Sequence, residues 1–396
     1  MPNRSIALQV GEPAPWFMGR TATNPRYAFH TAAGRYVVLC LFGSAGQPLA
    51  AQVLALLLHA GERFDGKHLA LFGVSVDPDD ESTPRMADRP RGVRFFWDSD
   101  RSISTLYGCV GDDGSYRPHT YVLDPTLRVL MALPLGESAE AHVTTLLNVL
   151  DKLPALPGPH RAHPQAPVLV VPRVFEPGLC QALIDHYEQR GGRDSGFMRD
   201  VDGKTVALID HGHKRRRDCD VEDERLIRAC MARVRMRLVP EVHKAYQFLA
   251  TRMERYIVSC YDAAEAGHFN PHRDNTTLGT AHRRFAVSLF LNSGQYEGGL
   301  LRFPEYGNAL YSAPLGGAVV FSCSLLHEAT TVTRGLRYMF VPFLHDEAAQ
   351  RVRDANAKFL ANPREGDSDS APRPALDGDA AGVPTDTPTG TPPGSD

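Results

Sequence analysis

The stretch HFNPHRDN, residues 268–275, sets His272 and Asp274 two positions apart. In extended chain, side chains two apart project to the same side, so an imidazole nitrogen and a carboxylate oxygen can face one ion. His-x-Asp is common by chance, and two ligands do not make a site. The rest of the set lies downstream: His327 follows the apolar run AVVFSCS some fifty residues later, and Arg337 comes ten residues after it. Two histidines and one carboxylate form the facial set that holds non-haem Fe(II) with positions left open for other ligands. Arg337 adds a planar, permanently charged guanidinium able to grip the far end of a dicarboxylate through two parallel hydrogen bonds.

A second close histidine pair, His211 and His213, precedes KRRRDCDVEDE, residues 214–224. We read the pair as part of a polar loop, and Lys214 to Arg217 as a solvated basic segment offset by the acidic residues after it. The alternative for the basic run is steering of an acidic substrate, with residues 211–224 as a substrate loop.

Strands are needed to carry the first set. From about residue 252, the runs RYIVSCYD, RFAVSLFLN, GLLRFPEY, GGAVVFSCS and RYMFVPFL are short, apolar and punctuated by Gly, Pro and Asn. That pattern predicts an antiparallel β-sandwich or barrel. Upstream, FEPGLCQALIDHYEQRGG predicts an amphipathic helix stopped by a glycine pair. DERLIRACMARVRMRLVPEVHKAYQ predicts a second helical stretch, broken near Pro240. The chain up to about residue 153 alternates differently. RYVVLCLFG and LALFGVSVD read as strands around the helical QPLAAQVLALLLHAGERF, then RFFWD, HTYVLDP and RVLMALPL as strands, and SAEAHVTTLLNVLDKL as a helix capped by Ser138. This order predicts an α/β sandwich. The proline-dense PALPGPHRAHPQAP reads as a linker. Beyond residue 355 the chain is rich in Pro, Gly, Asp, Ser and Thr and predicts disorder. The result is an α+β multidomain chain: a first unit over residues 1–155, a linker over 156–165, a second unit over 166–350 and a tail over 355–396.

Residues 166–345 resemble a 2-oxoglutarate/Fe(II)-dependent dioxygenase of the prolyl-4-hydroxylase type. The resemblance is carried by APVLVVPRVFEPGLCQALIDHYE, by CYDAAEAGHFNPHRDN, by SLFLNSGQYEGGLLRFPEYG with its Glu-Gly-Gly turn, and by PLGGAVVFSCSLLHEATTVTRGLRYMFVPF. It implies a double-stranded β-helix (jelly-roll) and Fe(II) held by His272, Asp274 and His327. It also implies 2-oxoglutarate as cosubstrate, its C5 carboxylate on Arg337 and Tyr261 beside it. It further implies O2 as the oxidant, ascorbate as a reductant, succinate and CO2 as the coproducts of hydroxylating an unactivated C–H bond, and a small molecule or a prolyl or other peptidyl residue as the substrate. Halogenating relatives have a small residue at the carboxylate position, so Asp274 favours hydroxylation.

Residues 7–153 resemble a peroxiredoxin of the AhpC/TSA type, with its thioredoxin-like fold. VGEPAPWF, YVVLCLFG, VSVDPDD, FFWDSDRSISTLYGCVG and RPHTYVLDPTLRVL carry that likeness. The departure lies in FGSAGQPLAAQ. Ala50 stands where the resemblance expects the peroxidatic cysteine, Gly43 where it expects the proline and Gln47 where it expects the threonine. Arg117 lies near the activating arginine's place, shifted by a residue. A reactive thiolate needs an electropositive, partly exposed setting. Cys40 sits inside an apolar strand run, and Cys109 in a turn. The first unit is therefore read as lacking peroxidase activity, either a docking module for a protein partner or a structural remnant.

The chain has 396 residues, 43% hydrophobic and 22% charged, with a net charge of -3. These values suit a globular protein and show no basic bias toward nucleic acid. No signal-like leader or membrane-length apolar run is visible, and seven cysteines without C-x-x-C spacing suit a reducing cytoplasm. The competing reading to an oxygenase is a binding or sensor module in which neither unit turns over.

Overall fold

The structure, a computed structural model, describes residues 6–82, 92–361 and 375–376. Two compact units divide the chain, with the main change at residues 156 and 157.

The first unit is built on a five-stranded sheet in the order Val93–Trp97, Leu69–Ser75, Tyr36–Gly43, His119–Leu123, Val129–Pro134. The first three strands are parallel and the last two join antiparallel. Strand Tyr36–Gly43 reads as an unbroken apolar run because both of its faces are covered. Val37, Leu39 and Leu41 enter one core, while Val38, Cys40 and Phe42 enter the other. Helices Pro48–His59 and Ala139–Leu150 cover the second face. Ser138 accepts a hydrogen bond from the Ala141 backbone N–H and caps the latter helix, as expected. This is the expected thioredoxin-like sandwich.

The second unit carries helices Pro177–Arg190, Glu224–Arg233 and Val239–Tyr246. The first stops at Gly191, whose φ of +74° a side chain rarely adopts. The break expected near Pro240 takes a different form. A π-helical turn over Val234–Leu238 joins the last two helices, and Pro240 sits in the first turn of Val239–Tyr246. A proline there lacks an N–H that the first turn does not use, and the wider turn before it absorbs the mismatch.

Two antiparallel sheets form the expected jelly-roll. The larger runs Arg252–Glu254, Phe343–His345, Phe285–Phe290, Leu336–Phe340, Ile257–Asp262, Arg217–Asp220, Arg193–Asp194, with Ala318–Ser322 beside Phe285–Phe290. The smaller runs Lys214–Arg215, His268–His272, His327–Ala329, Leu301–Arg302, Leu310–Tyr311. The two-residue period of a strand separates the faces. Val287, Leu289, Val320, Tyr338 and Phe340 pack in the core that includes the helices, while Ala286, Phe290, Phe321 and Met339 pack in the other.

The chain stays ordered past residue 355, where the tail was expected to begin. Helix Glu347–Asn356 leads into Ala357–Phe359, and Leu360 bridges Thr205. Leu376 is buried and donates its backbone N–H to Thr251 O. The rest of the expected tail, residues 362–374 and 377–396, lies outside the described residues.

Candidate metal centre

Strand pairing brings the first set together. His272 ends strand His268–His272 and His327 begins strand His327–Ala329, and the register makes them direct partners. Facing residues on antiparallel strands are the closest side-chain neighbours a sheet offers. Their ring centroids lie 4.3 Å apart. Asp274 follows the strand end and is held by its backbone N–H, which donates to Cys323 O at 3.0 Å. One ligand atom from each of the three residues lies within 4.8 Å of the others, and no other such trio occurs among the described residues.

The hydrogen bonds select the tautomers. His272 Nδ1 lies 2.8 Å from Asn270 O, and His327 Nδ1 lies 3.0 Å from Leu325 O. A carbonyl oxygen only accepts, so each Nδ1 carries the proton and each Nε2 presents a lone pair. Those lone pairs face the carboxylate of Asp274, at 3.6 Å from His272 and 3.4 Å from His327. Burial pushes His327 down to about 4, only partly countered by Asp274, so its imidazole is neutral at pH 7. Burial raises Asp274, but His327 and His272 outweigh it and hold the carboxyl well below the usual carboxylate range. Two imidazole nitrogens and a carboxylate converging in this way suit a cation with bonds of about 2.0–2.2 Å.

The period of strand Leu336–Phe340 turns Arg337 away from the helices. It pairs across the ladder with Tyr261 of strand Ile257–Asp262. Arg337 is 2% exposed. Its guanidinium carbon lies 4.8 Å from the Tyr261 ring centroid and 5.5 Å from that of Phe290. It forms no ion pair among the described residues, and its Nε has no hydrogen-bond partner. A buried cation left so is costly unless an anion arrives. The Glu-Gly-Gly turn makes room for its stem: a Cβ on Gly299 would lie 2.6 Å from Arg337 Cδ, and Gly299 has φ +62°. Arg337, Tyr261 and the trio all line one cavity of about 530 Å³.

The basic run departs from its expected place. Lys214 and Arg216 are buried, and both line this cavity, whereas Arg217 is exposed. The reason is strand geometry: Lys214, Arg216 and Asp218 are two apart, and Asp218 lies opposite Ser259, which donates to it at 2.8 Å. His213 is also part of the cavity wall, its ring 4.4 Å from that of Phe197, while His211 is exposed beside Asp194. Both histidines lie in the turn expected of a polar loop, but His213 also lines the cavity. The alternation K-R-R-R-D was visible in the sequence, but charged residues give no apolar period to mark a strand face.

In the first unit, Ala50 is buried in the first turn of helix Pro48–His59. Cys40 is buried under that helix, and burial pushes its thiol up to about 11. Cys109 is likewise buried and pushed up to about 12. Arg117 is exposed.

Residues 10–131 match the AhpC/TSA family, and residues 256–345 match the 2OG-Fe(II) oxygenase superfamily. Two curated proteins, PKHD-type hydroxylases of Synechococcus sp. (strain JA-2-3B'a(2-13)) and Synechococcus sp. (strain JA-3-3Ab), are each 30% identical over 94 residues, 22% of this chain. The chain spans 41% of the length of these relatives. Among solved structures, peroxidoxin BcpB from Mycobacterium tuberculosis is 18% identical, covering 37% of this chain and 99% of its own, with a TM-score of 0.34. A prolyl hydroxylase from Trichoplax adhaerens is 15% identical, covering 48% and 87%, with a TM-score of 0.36. A Pseudomonas putida prolyl-4-hydroxylase is 15% identical, covering 46% and 94%, with a TM-score of 0.35. No helix among the described residues is long and apolar enough to cross a membrane.

Proposed function

We propose that this chain is an Fe(II)- and 2-oxoglutarate-dependent dioxygenase that hydroxylates an unactivated C–H bond, with succinate and CO2 as coproducts. The observation that carries the reading is the pairing, in one cavity, of the converging His272–Asp274–His327 trio with a buried Arg337 that no acid among the described residues pairs with. A cation answers the first and a carboxylate the second, and a dicarboxylate cosubstrate chelating the ion answers both. The match of residues 256–345 to the 2OG-Fe(II) oxygenase superfamily supports the same chemistry. A pure binding module has no need of all four groups together.

When bound, iron with 2-oxoglutarate supplies the coupling of O2 reduction to oxidative decarboxylation and insertion of one oxygen atom into a C–H bond. The protein's part is positional. His272 and His327 hold their Nε2 lone pairs in place through their Nδ1–H bonds, and Asp274 completes the set as an anion. Arg337 orients the distal carboxylate of the cosubstrate, with the Tyr261 ring against its guanidinium. Phe269, whose ring centroid lies 3.4 Å from that of His272, and Phe321, at 4.5 Å from His327, exclude water from the imidazoles.

The first unit is read as lacking peroxidase chemistry, since Ala50 offers a methyl group where a thiolate is required, and as either a docking module or a structural remnant. Seven free, buried cysteines support a reducing, cytoplasmic setting. Ascorbate as reductant belongs to the same reading and is tested by its effect on sustained turnover. The decisive experiment is incubation of the full chain with Fe(II), 2-oxoglutarate and O2. Succinate formed in proportion to added iron supports the enzyme, and 2-oxoglutarate left unconsumed sinks it.

A further inference from the structure

The cavity wall holds more positive charge than the cosubstrate needs. Beyond Arg337, the exposed Arg199, and Arg273 and Arg283, which pair with Glu305 and Glu254, it carries Lys214, Arg216 and Arg255, and these three surround Asp218. Arg216 Nη2 lies 2.6 Å from Asp218 Oδ2, and Arg255 Nη2 lies 3.3 Å from the same oxygen. Among the described residues, Lys214 has no carboxylate within ion-pair distance. Its ammonium donates to Ser195 Oγ at 2.7 Å and to Gly196 O at 2.6 Å, and sits 4.8 Å from the Phe269 ring centroid. Two of its three N–H donors are thus used on neutral groups. Arg216, 8% exposed, has a buried Nε with no hydrogen-bond partner.

The other carboxylates of the cavity are committed elsewhere. Asp274 belongs to the trio. Asp200 accepts from Thr205 and from the Leu278 backbone N–H, and Asp210 accepts from the Gly212 backbone N–H. Burying ions costs several kcal/mol each, so an uncompensated excess of buried cations needs a counter-charge. Burial and then repulsion from Arg216 press the Lys214 ammonium toward losing its proton. A guest anion reverses that pressure.

We propose that the primary substrate of this site is an anion whose carboxylate docks on Lys214 and Arg216, separately from the cosubstrate carboxylate on Arg337. This rests on the oxygenase reading for the word substrate, but not for the anion pocket itself. The carboxylate comes from one of two sources, the α-carboxylate of a free amino acid or an acidic side chain of a peptide.

The test uses the full-length chain saturated with Zn(II) and 2-oxoglutarate, and reads binding by ligand-observed NMR. The probes are matched pairs: free amino acids against their C-terminal amides, and Asp- or Glu-containing peptides against their Asn or Gln counterparts. The expected result is binding of the acids at least about tenfold tighter than of the amides, in one of the two series, and that series names the source. Lys214→Met should remove most of the preference while leaving the 2-oxoglutarate affinity within about twofold, and Arg216→Met, whose parent Nη1 lies 3.5 Å from Tyr261 Oη, should remove the preference as well. Equal binding of acids and amides by the unmodified chain overturns the proposal, whether or not the variants fold. A variant that weakens 2-oxoglutarate instead of the acid also overturns it, because the cations would then serve the cosubstrate. A parallel succinate assay with Fe(II) separates the two readings. Acid preference without turnover leaves the anion pocket standing and removes the enzyme, while turnover without acid preference does the reverse.

Discussion

Arg337→Met should weaken 2-oxoglutarate without weakening the metal. The structure sets the size of the effect. Arg337 is 2% exposed, and no acid pairs with it among the described residues, so its whole charge is available to a ligand in a site with little water. Losing one partner of such a charge-assisted pair costs about 2–5 kcal/mol, or roughly thirtyfold to a few thousandfold in affinity. Thermal unfolding gives a second reading with the opposite sign for the free protein. At a 2-oxoglutarate concentration of about 100 times the original Kd, ligand stabilises the unaltered chain by about 2.7 kcal/mol. A thirtyfold loss of affinity lowers that to about 0.9 kcal/mol, and a larger loss removes it. The ligand-free variant should be no less stable than the parent, because it loses a buried cation that has no acid to pair with. Arg337→Lys should fall between the two, since an ammonium cannot reproduce the planar fork. The assay is a titration of 2-oxoglutarate against melting temperature with Mn(II) present, beside a succinate-release curve with Fe(II). An unchanged saturation curve in Arg337→Met would place the distal carboxylate elsewhere and refute the reasoning.

Four other outcomes are expected. His272→Ala, Asp274→Ala and His327→Ala should each lower iron content and abolish succinate formation while the chain still folds; near-normal succinate in two of them removes the metal assignment. Gly299→Ala should raise the 2-oxoglutarate requirement with metal content unchanged, since its Cβ would lie 2.6 Å from Arg337 Cδ and 2.7 Å from Val332 Cγ2; a parental titration curve would mean the stem has slack. Glu254, 5% exposed, lies 2.7 Å from both His282 and Arg283. Burial raises its carboxyl, but Arg283, His282 and Arg353 outweigh that and hold it well below the ordinary glutamate value. Its stabilisation is therefore full above the unfolded value of about 4.3 and lost as pH falls below it. Glu254→Gln should cost on the order of 3 kcal/mol at pH 7, with the gap narrowing below about pH 4 in denaturant titrations; a gap independent of pH contradicts the ion-pair account. Finally, the iron-free chain should consume no peroxide by a thiol route, and Cys40→Ser and Cys109→Ser should leave succinate formation unchanged; rapid peroxide loss abolished by either variant would reveal a displaced reactive thiol.

Much of the site was legible because its chemistry is written in residue type and spacing. His272 and Asp274 are two apart, His327 follows the apolar run AVVFSCS, and Arg337 lies in the apolar run RYMFVPFL ten residues after it. The loss of the thiol was equally plain, since Ala50 has no sulfur whatever the fold does. The helix Pro48–His59, the Ser138 cap and the stop at Gly191 were local events, decided by propensity and by the backbone freedom of a glycine.

The errors came where long-range pairing overrode local pattern. Lys214 and Arg216 looked like a solvated run because a strand made of charges shows no apolar face. Pairing with His268–His272 and with Ile257–Asp262 turned Lys214 and Arg216 into the cavity and left Arg217 outside. Residues 355–361 looked too polar to order, yet Leu360 gains a bridge to Thr205 and Lys204 donates to Lys358 O at 2.6 Å. The sequence by itself determined which atoms could bind a metal and a carboxylate, because donors and charges belong to residue types. The tertiary structure alone decided that His272 faces His327, that no acid among the described residues pairs with Arg337, and that Lys214 and Arg216 line the same cavity. Those facts depend on register between strands tens of residues apart, and a strand's register is set by its partners rather than by its own sequence.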